Sequence, residues 1–218
     1  MADKALALAP SALPEVDRRS ASRIRTVYRV ARVRARGDEG LARVHNLSDE
    51  GMMLELGFPV MLNDTVRIDL TETVSLEGKV IWTEGGRCGL KLRRPVDSAD
   101  LLRQMCEEQR SGATRPLRLG MRRPAMTASE FGLKPVSVVD ISQRGMKLAH
   151  DGSFRPGLAV KVTTDTGIER RGVVRWTRDD LAGVILTEPF TVAELGSLRS
   201  WRSSRASSET PQAADPSS

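Results

Sequence analysis

From Thr26 to Ala35 the chain interleaves Val27 and Val33 with Arg29, Arg32 and Arg34, a pattern that predicts a strand with one charged face. Gly37, Asp38, Glu39 and Gly40 predict its turn, and Leu41 to His45 the returning strand. After a bend at Asn46 to Gly51, further strands are predicted at Met52 to Leu56, Val66 to Leu70, Ser75 to Thr83 and Arg87 to Leu92. Six short strands joined by Gly-rich turns suit a closed barrel, which leaves no unpaired edge. Asp97 or Ser98 can then cap a short helix whose apolar face is Leu101, Leu102, Met105 and Cys106.

The plan then repeats. Adding 94 to Ser48, Gly51, Met52, Leu54, Gly78, Val80, Trp82, Thr83, Gly89, Leu92 and Pro95 lands on the same residue type each time, from Ser142 to Pro189, and Asn46 maps to Asp140. The period is too long for a solenoid unit, so it predicts tandem copies of one domain. Second-copy strands are expected at Met121 to Thr127, Val136 to Val139, Gly145 to Ala149, Ala159 to Thr163, Glu169 to Trp176 and Gly183 to Leu186. Pro124 marks the first of these as an edge strand. Thr191 with Glu194 forms a capping box for a second terminal helix, with Leu195, Leu198 and Trp201 facing inward. The expected fold is therefore mainly β, two tandem six-stranded barrels each followed by a short helix. The expected divisions are a leader at 1–17, a first domain at 18–109, a linker at 110–114, a second domain at 115–203 and a disordered Ser/Ala/Pro tail at 204–218.

Composition narrows the chemistry. No apolar run approaches the ~20 residues of a spanning helix, and Pro10 and Pro14 interrupt the short apolar leader, so no membrane anchor and a cytoplasmic location are expected. Cys88 and Cys106 lack a CxxC spacing and read as reduced structural thiols. His45 and His150 are too few for a metal site. The net charge of +6 is concentrated between Arg18 and Val44, where nine arginines face two acids. Guanidinium groups bind phosphate in bidentate fashion and stack on bases.

Arg19 and Arg23, in an Arg-x-x-x-Arg spacing, are followed by Asn46, Ser48 and Gly51 in an Asn-x-Ser-x-x-Gly turn. Together these resemble the two signatures of the PilZ family, RxxxR and [DN]xSxxG. The resemblance implies a small β-barrel that receives cyclic di-GMP, with Arg19 and Arg23 on phosphate and the guanine edge, Arg18 adding a contact, and Asn46, Ser48 and Gly51 completing the site. Arg25 with Arg29 and Arg32 with Arg36 share the spacing; Arg19 with Arg23 is preferred because it precedes the predicted strand. Trp82 and Trp176 read as core or barrel-rim packing rather than base-stacking residues. Met52 and Leu54 read as core, with Met53 on the opposite face.

The second copy keeps Asp140, Ser142 and Gly145, and Arg118 with Arg122 gives a nominal second arginine pair. However, Arg23 precedes Asn46 by 23 residues and Arg122 precedes Asp140 by 18. The offset of 94 sets Leu117 opposite Arg23 and Ala113 opposite Arg19, so either the second site is built differently or the first pair is another one. The expected arrangement is a principal ligand site in the first domain and a degenerate or partner-binding second domain, with a downstream protein partner. No nucleophile elbow, P-loop, dinucleotide fingerprint or metal cluster argues for an enzyme. Nucleic-acid binding is weakly supplied, with eight aromatic residues in the whole chain. A ligand-free interaction adaptor built on the same fold is the remaining alternative.

Overall fold

The computed structural model describes residues 24–112 and 115–201, with side chains from Arg29 onward. Arg18, Arg19 and Arg23, the leader and the tail lie outside the described residues.

Strands β1 (Ile24–Ala35), β2 (Asp38–Leu47), β3 (Gly51–Glu55), β4 (Thr65–Asp69), β5 (Ser75–Glu84) and β6 (Arg87–Leu92) form the first barrel. They close in the order β1-β2-β3-β6-β5-β4, every neighbouring pair antiparallel. Alternate residues such as Val33, Val44, Leu54, Ile68, Val80 and Leu90 point inward and fill the barrel. Helix α1 (Ser98–Arg110) comes next, capped by the Asp97 carboxylate, which accepts from the Asp100 N–H at 2.8 Å. Its Met105 is buried, and Leu101 and Leu102 pack against the same core.

Strands β7 (Leu119–Ser129), β8 (Gly132–Ser142), β9 (Gly145–Ala149), β10 (Ala159–Thr164), β11 (Glu169–Arg178) and β12 (Leu181–Leu186) close a second barrel of the same topology. The tandem reading is thus observed, with three local corrections. The first hairpin turns at Arg36 and Gly37, both at positive φ, two residues earlier than expected, and Asp38 already belongs to β2. That left-handed pair matches the twist of the strands it joins. Closure also removes the edge predicted at Pro124: β7 pairs with β8 on one side and β10 on the other, and Pro124 sits just past the last β10 pair, Ala125 with Thr164.

The third correction concerns the carboxyl-terminal helix. The capping-box bonds form, with the Glu194 carboxylate accepting from the Thr191 N–H and hydroxyl, but no α-helix forms after them, only turns and a single 3-10 turn at Arg199–Trp201. Gly196 lowers helix propensity by ~1 kcal/mol relative to Ala, and the first barrel takes the backbone groups a helix would use. Leu41 N–H donates to the Leu195 carbonyl at 2.8 Å, Leu198 N–H to Glu39 at 2.7 Å, and Ser197 Oγ to Asp38 at 2.6 Å. Leu195 and Trp201 are still buried. They belong to a second-barrel core that also takes in Leu41 of β2. Arg32 of β1 adds a polar tie, donating to Asp69 at 2.8 Å and to the Arg118 carbonyl at 2.7 Å. Burial works to raise the Asp69 pKa, but the Ser75, Arg32 and Arg34 contacts outweigh it and hold the carboxyl below its ordinary range.

Candidate ligand groove

Two residues of the Asn-x-Ser-x-x-Gly motif build the turn itself. Ser48 Oγ lies 3.2 Å from both the Gly51 N–H and the Gly51 carbonyl, and Ser48 N–H donates to that carbonyl at 2.8 Å. Gly51 is required because a Cβ would lie 2.9 Å from the Leu90 carbonyl; neither a positive φ nor room for a ligand is needed to explain it. The turn is anchored from behind by Asp49, whose carboxylate accepts from Ser98 N–H at 3.1 Å and Ser98 Oγ at 2.6 Å. Those two bonds lower the Asp49 pKa and fix the first residue of α1 to the motif.

Asn46 is the motif residue that faces outward, half-buried and without a hydrogen-bond partner among the described residues. Strand pairing places it in one row across the barrel wall, with Arg25 on one side and Met53, Gly89 and Trp82 on the other. Trp82 is 37% exposed, on the outside of the barrel rather than in its core. Its indole lies directly over Gly89, where a Cβ would fall 1.9 Å from Nε1. A β-bulge between Val80 and Trp82 turns the ring onto that spot. Met52 and Leu54 are core and Met53 lies on the outer face, as their alternation implies. The result is a shallow groove of about 150 Å³ bounded by Asn46, Ser48, Met53, Ile81 and Trp82. Larger hollows of about 420 and 480 Å³ on the same barrel contain no motif residue.

The first pairs of β1, Ile24 with Leu47 and Arg25 with Asn46, bring the chain to this groove immediately after Arg23. In the second barrel the corresponding pairs are Leu119 with Ile141 and Gly120 with Asp140. Strand register therefore sets Arg118, which precedes Leu119, at the position Arg23 has before Ile24. The offset is 95 there and returns to 94 after the β1 and β7 bulges, Arg29 pairing with Val44 and Arg123 with Val138. This corrects the alignment by constant offset, which put Leu117 opposite Arg23. Arg122 falls inside the β7 irregularity and is exposed.

The second barrel keeps the scaffold and changes the electrostatics. Ser142 Oγ donates to the Gly145 carbonyl at 3.2 Å, and a Cβ on Gly145 would meet the Val184 carbonyl at 2.9 Å. Trp176 lies over Gly183 as Trp82 does over Gly89. Asp140, however, is paired twice: with Arg118 at 2.5 Å and with Lys147, which replaces Met53, at 2.7 Å. Arg118, Asp140, Ser142 and Gly145 are thus brought together, but the arginine is spent on the carboxylate. Elsewhere, burial pushes the Cys88 thiol up to about 11, and Cys106 is exposed. Among the described residues no group of three or more His, Cys, Asp or Glu is placed to hold a metal, and no helix is long and apolar enough to cross a membrane.

A closed six-stranded barrel with an arginine-rich approach and a polar Asn-x-Ser-x-x-Gly bend defines a class of small β-barrel modules. Residues 17–108 match the family model of the PilZ domain, and a second barrel of the same topology follows in tandem. No curated protein matches the sequence. Among solved structures, Borreliella burgdorferi PlzA in complex with c-di-GMP is similar, with 10% identity, TM-score 0.38, and coverage of 78% of this chain and 86% of that one. Bacillus subtilis MotI/DgrA, an inhibitor of motility, has 12% identity and TM-score 0.32, with 77% and 91% covered. Escherichia coli YcgR in complex with c-di-GMP has 11% identity and TM-score 0.26, with 74% and 75% covered.

Proposed function

We propose that the chain is a non-catalytic receptor for cyclic di-GMP whose principal site is on the first barrel, the second barrel serving as support or as a contact for a protein partner. The observation that carries this reading is the row of Asn46, Met53, Gly89 and Trp82, an amide without a partner among the described residues beside an exposed indole, lying where β1 begins in a barrel that matches the PilZ model. A groove of about 150 Å³ is smaller than the ~300–1,000 Å³ of an enclosed small-molecule site, so it serves as a platform for one base. The rest of the ligand is held from outside, where Arg18, Arg19 and Arg23 supply guanidinium groups for phosphate and for the guanine edge. Ligand capture then engages this segment and changes the surface offered to a partner.

Calorimetric titration of the full chain with cyclic di-GMP tests the reading. One ligand equivalent is expected, lost in the Arg19→Ala, Arg23→Ala double variant while its circular dichroism stays that of the native barrel. Absence of binding at millimolar ligand overturns it.

A further inference from the structure

One row along from Trp82 and Gly89, the outer wall of the first barrel carries a pair of lysines. Lys79 of β5 and Lys91 of β6 are direct cross-strand partners, and Lys91 is also opposite Gly51, the last residue of the motif turn. Both are exposed. They lie on the outer face because Gly78, Val80, Leu90 and Leu92 between and beside them are buried. Directly opposed residues have Cβ atoms about 4.5–5.5 Å apart, and like charges at that spacing are destabilising. Other exposed cations on this barrel have acidic partners, as Arg93 has Glu77 at 3.0 Å and Arg36 has Asp64 at 3.3 Å. Among the described residues Lys79 and Lys91 have no acidic partner.

The second barrel supplies the control. At the equivalent positions it has Val173 opposite Ile185, with Ile185 in turn opposite Gly145. The same wall positions accept an uncharged pair, so the fold does not require lysine there. The apolar pair occurs in the barrel whose Asp140 is already neutralised by its own cations, and the lysine pair in the barrel whose Asn46 has no partner among the described residues.

We propose that Lys79 and Lys91 form an anion clamp that takes a phosphate of the ligand seated on the Asn46–Trp82 groove, on its β5–β6 side. This rests on the receptor reading above. The two phosphates of a cyclic dinucleotide are then held by different cations: one by the arginines that precede β1, the other by the lysine pair beside Gly51. Two mobile ammonium groups suit that task as point charges, and the phosphate removes their mutual repulsion.

The test is titration of the full chain and of the Lys79→Val, Lys91→Ile double variant with cyclic di-GMP over a range of salt concentrations. This replacement installs the pair the second barrel folds with, and the variant is expected to melt no lower than the parent. Binding should weaken about tenfold, the scale of one charge-assisted contact, and its salt dependence should become shallower. Parent-like affinity with an unchanged salt slope overturns the clamp and leaves the receptor reading intact. A parent chain that ignores the ligand removes both.

Discussion

The two barrels share strand order, the Ser–Gly turn and the Trp-over-Gly contact, yet the outward-facing residues on the same rows differ. The first barrel has Asn46 and Met53 where the second has Asp140 and Lys147, and Lys79 and Lys91 where the second has Val173 and Ile185. Ser48 and Ser142, Gly51 and Gly145, and the buried pairs Met52 with Met146 and Leu54 with Leu148 are held in common, whereas these four outward positions have diverged. Among the described residues, the first barrel therefore presents polar groups without partners on these rows, and the second pairs Asp140 with Arg118 and Lys147. The comparison teaches that a retained motif is no measure of a retained site: Ser142 and Gly145 persist because the turn needs them.

The largest effect should come from the Trp-over-Gly contact, because it is structural in both barrels and part of the groove in only one. Gly89→Ala puts a Cβ 1.9 Å from the Trp82 indole, and Gly183→Ala puts one 2.1 Å from Trp176. Each should cost about 1–3 kcal/mol of stability as the ring is forced away. Stacking on an aromatic platform is worth roughly 1–3 kcal/mol per base, so Gly89→Ala should also weaken cyclic di-GMP binding by roughly ten- to a hundredfold, and Gly183→Ala should leave it unchanged. Thermal melts and calorimetry on the two variants read both quantities. Equal loss of binding in both breaks the division of roles.

The fold was legible because it rests on local signals. β6 and β9 run from Arg87 to Leu92 and from Gly145 to Ala149, as the alternation of apolar residues and the bounding glycines indicate. What was not legible depends on register. The β1 and β7 bulges shift the offset from 94 to 95 across only a few residues, and no composition marks a bulge, so Arg118 could not be aligned with Arg23 by counting. Of the two readings of Trp82, core or barrel rim, the core one fails because a bulge after Val80 lays its ring on the outer wall. A signal was available in the repeat: Trp82 with Gly89 and Trp176 with Gly183 recur as pairs, and a bulky ring kept together with a glycine marks close approach. Thr191 and Glu194 form the cap that their spacing indicates, but backbone bonding to Glu39 and Leu41 lies more than 150 residues away along the chain.

A smaller effect is expected at Lys147, where the comparison can be sharpened by making the second barrel resemble the first. Lys147→Met leaves Asp140 with Arg118 alone. Partly exposed pairs contribute ~1 kcal/mol or less, so the melting temperature should fall by a few degrees at most. Ligand stoichiometry should remain one, because Asp140 still holds Arg118 and the wall still carries Val173 and Ile185. A second equivalent bound by this variant would show that Lys147 alone closes the site, and would overturn the view that several positions share the change.

The smallest effect distinguishes the barrels by acid. In the first, Asp49 ties the motif turn to the start of α1 and the segment before it: its backbone carbonyl accepts from Val96 and its carboxylate accepts from Ser98. In the second the same position is Gln143, whose carbonyl accepts from Phe190 at 2.7 Å and whose side-chain amide donates to the Phe190 carbonyl at 3.3 Å. The Ser98 hydrogen bonds hold the Asp49 carboxyl below its ordinary 3.8. That tie is at full strength above the ordinary value and is lost as pH falls through the lower folded one, because protonation takes away the acceptor charge. Gln143 does not titrate. Amide protection factors measured from neutral into the acid range should therefore drop at Ser98 before they drop at Phe190, and Asp49→Asn should flatten the Ser98 profile. Parallel loss at the two amides would mean that acid opens both barrels through a shared event, and that the Asp49 tie is not the feature by which they differ.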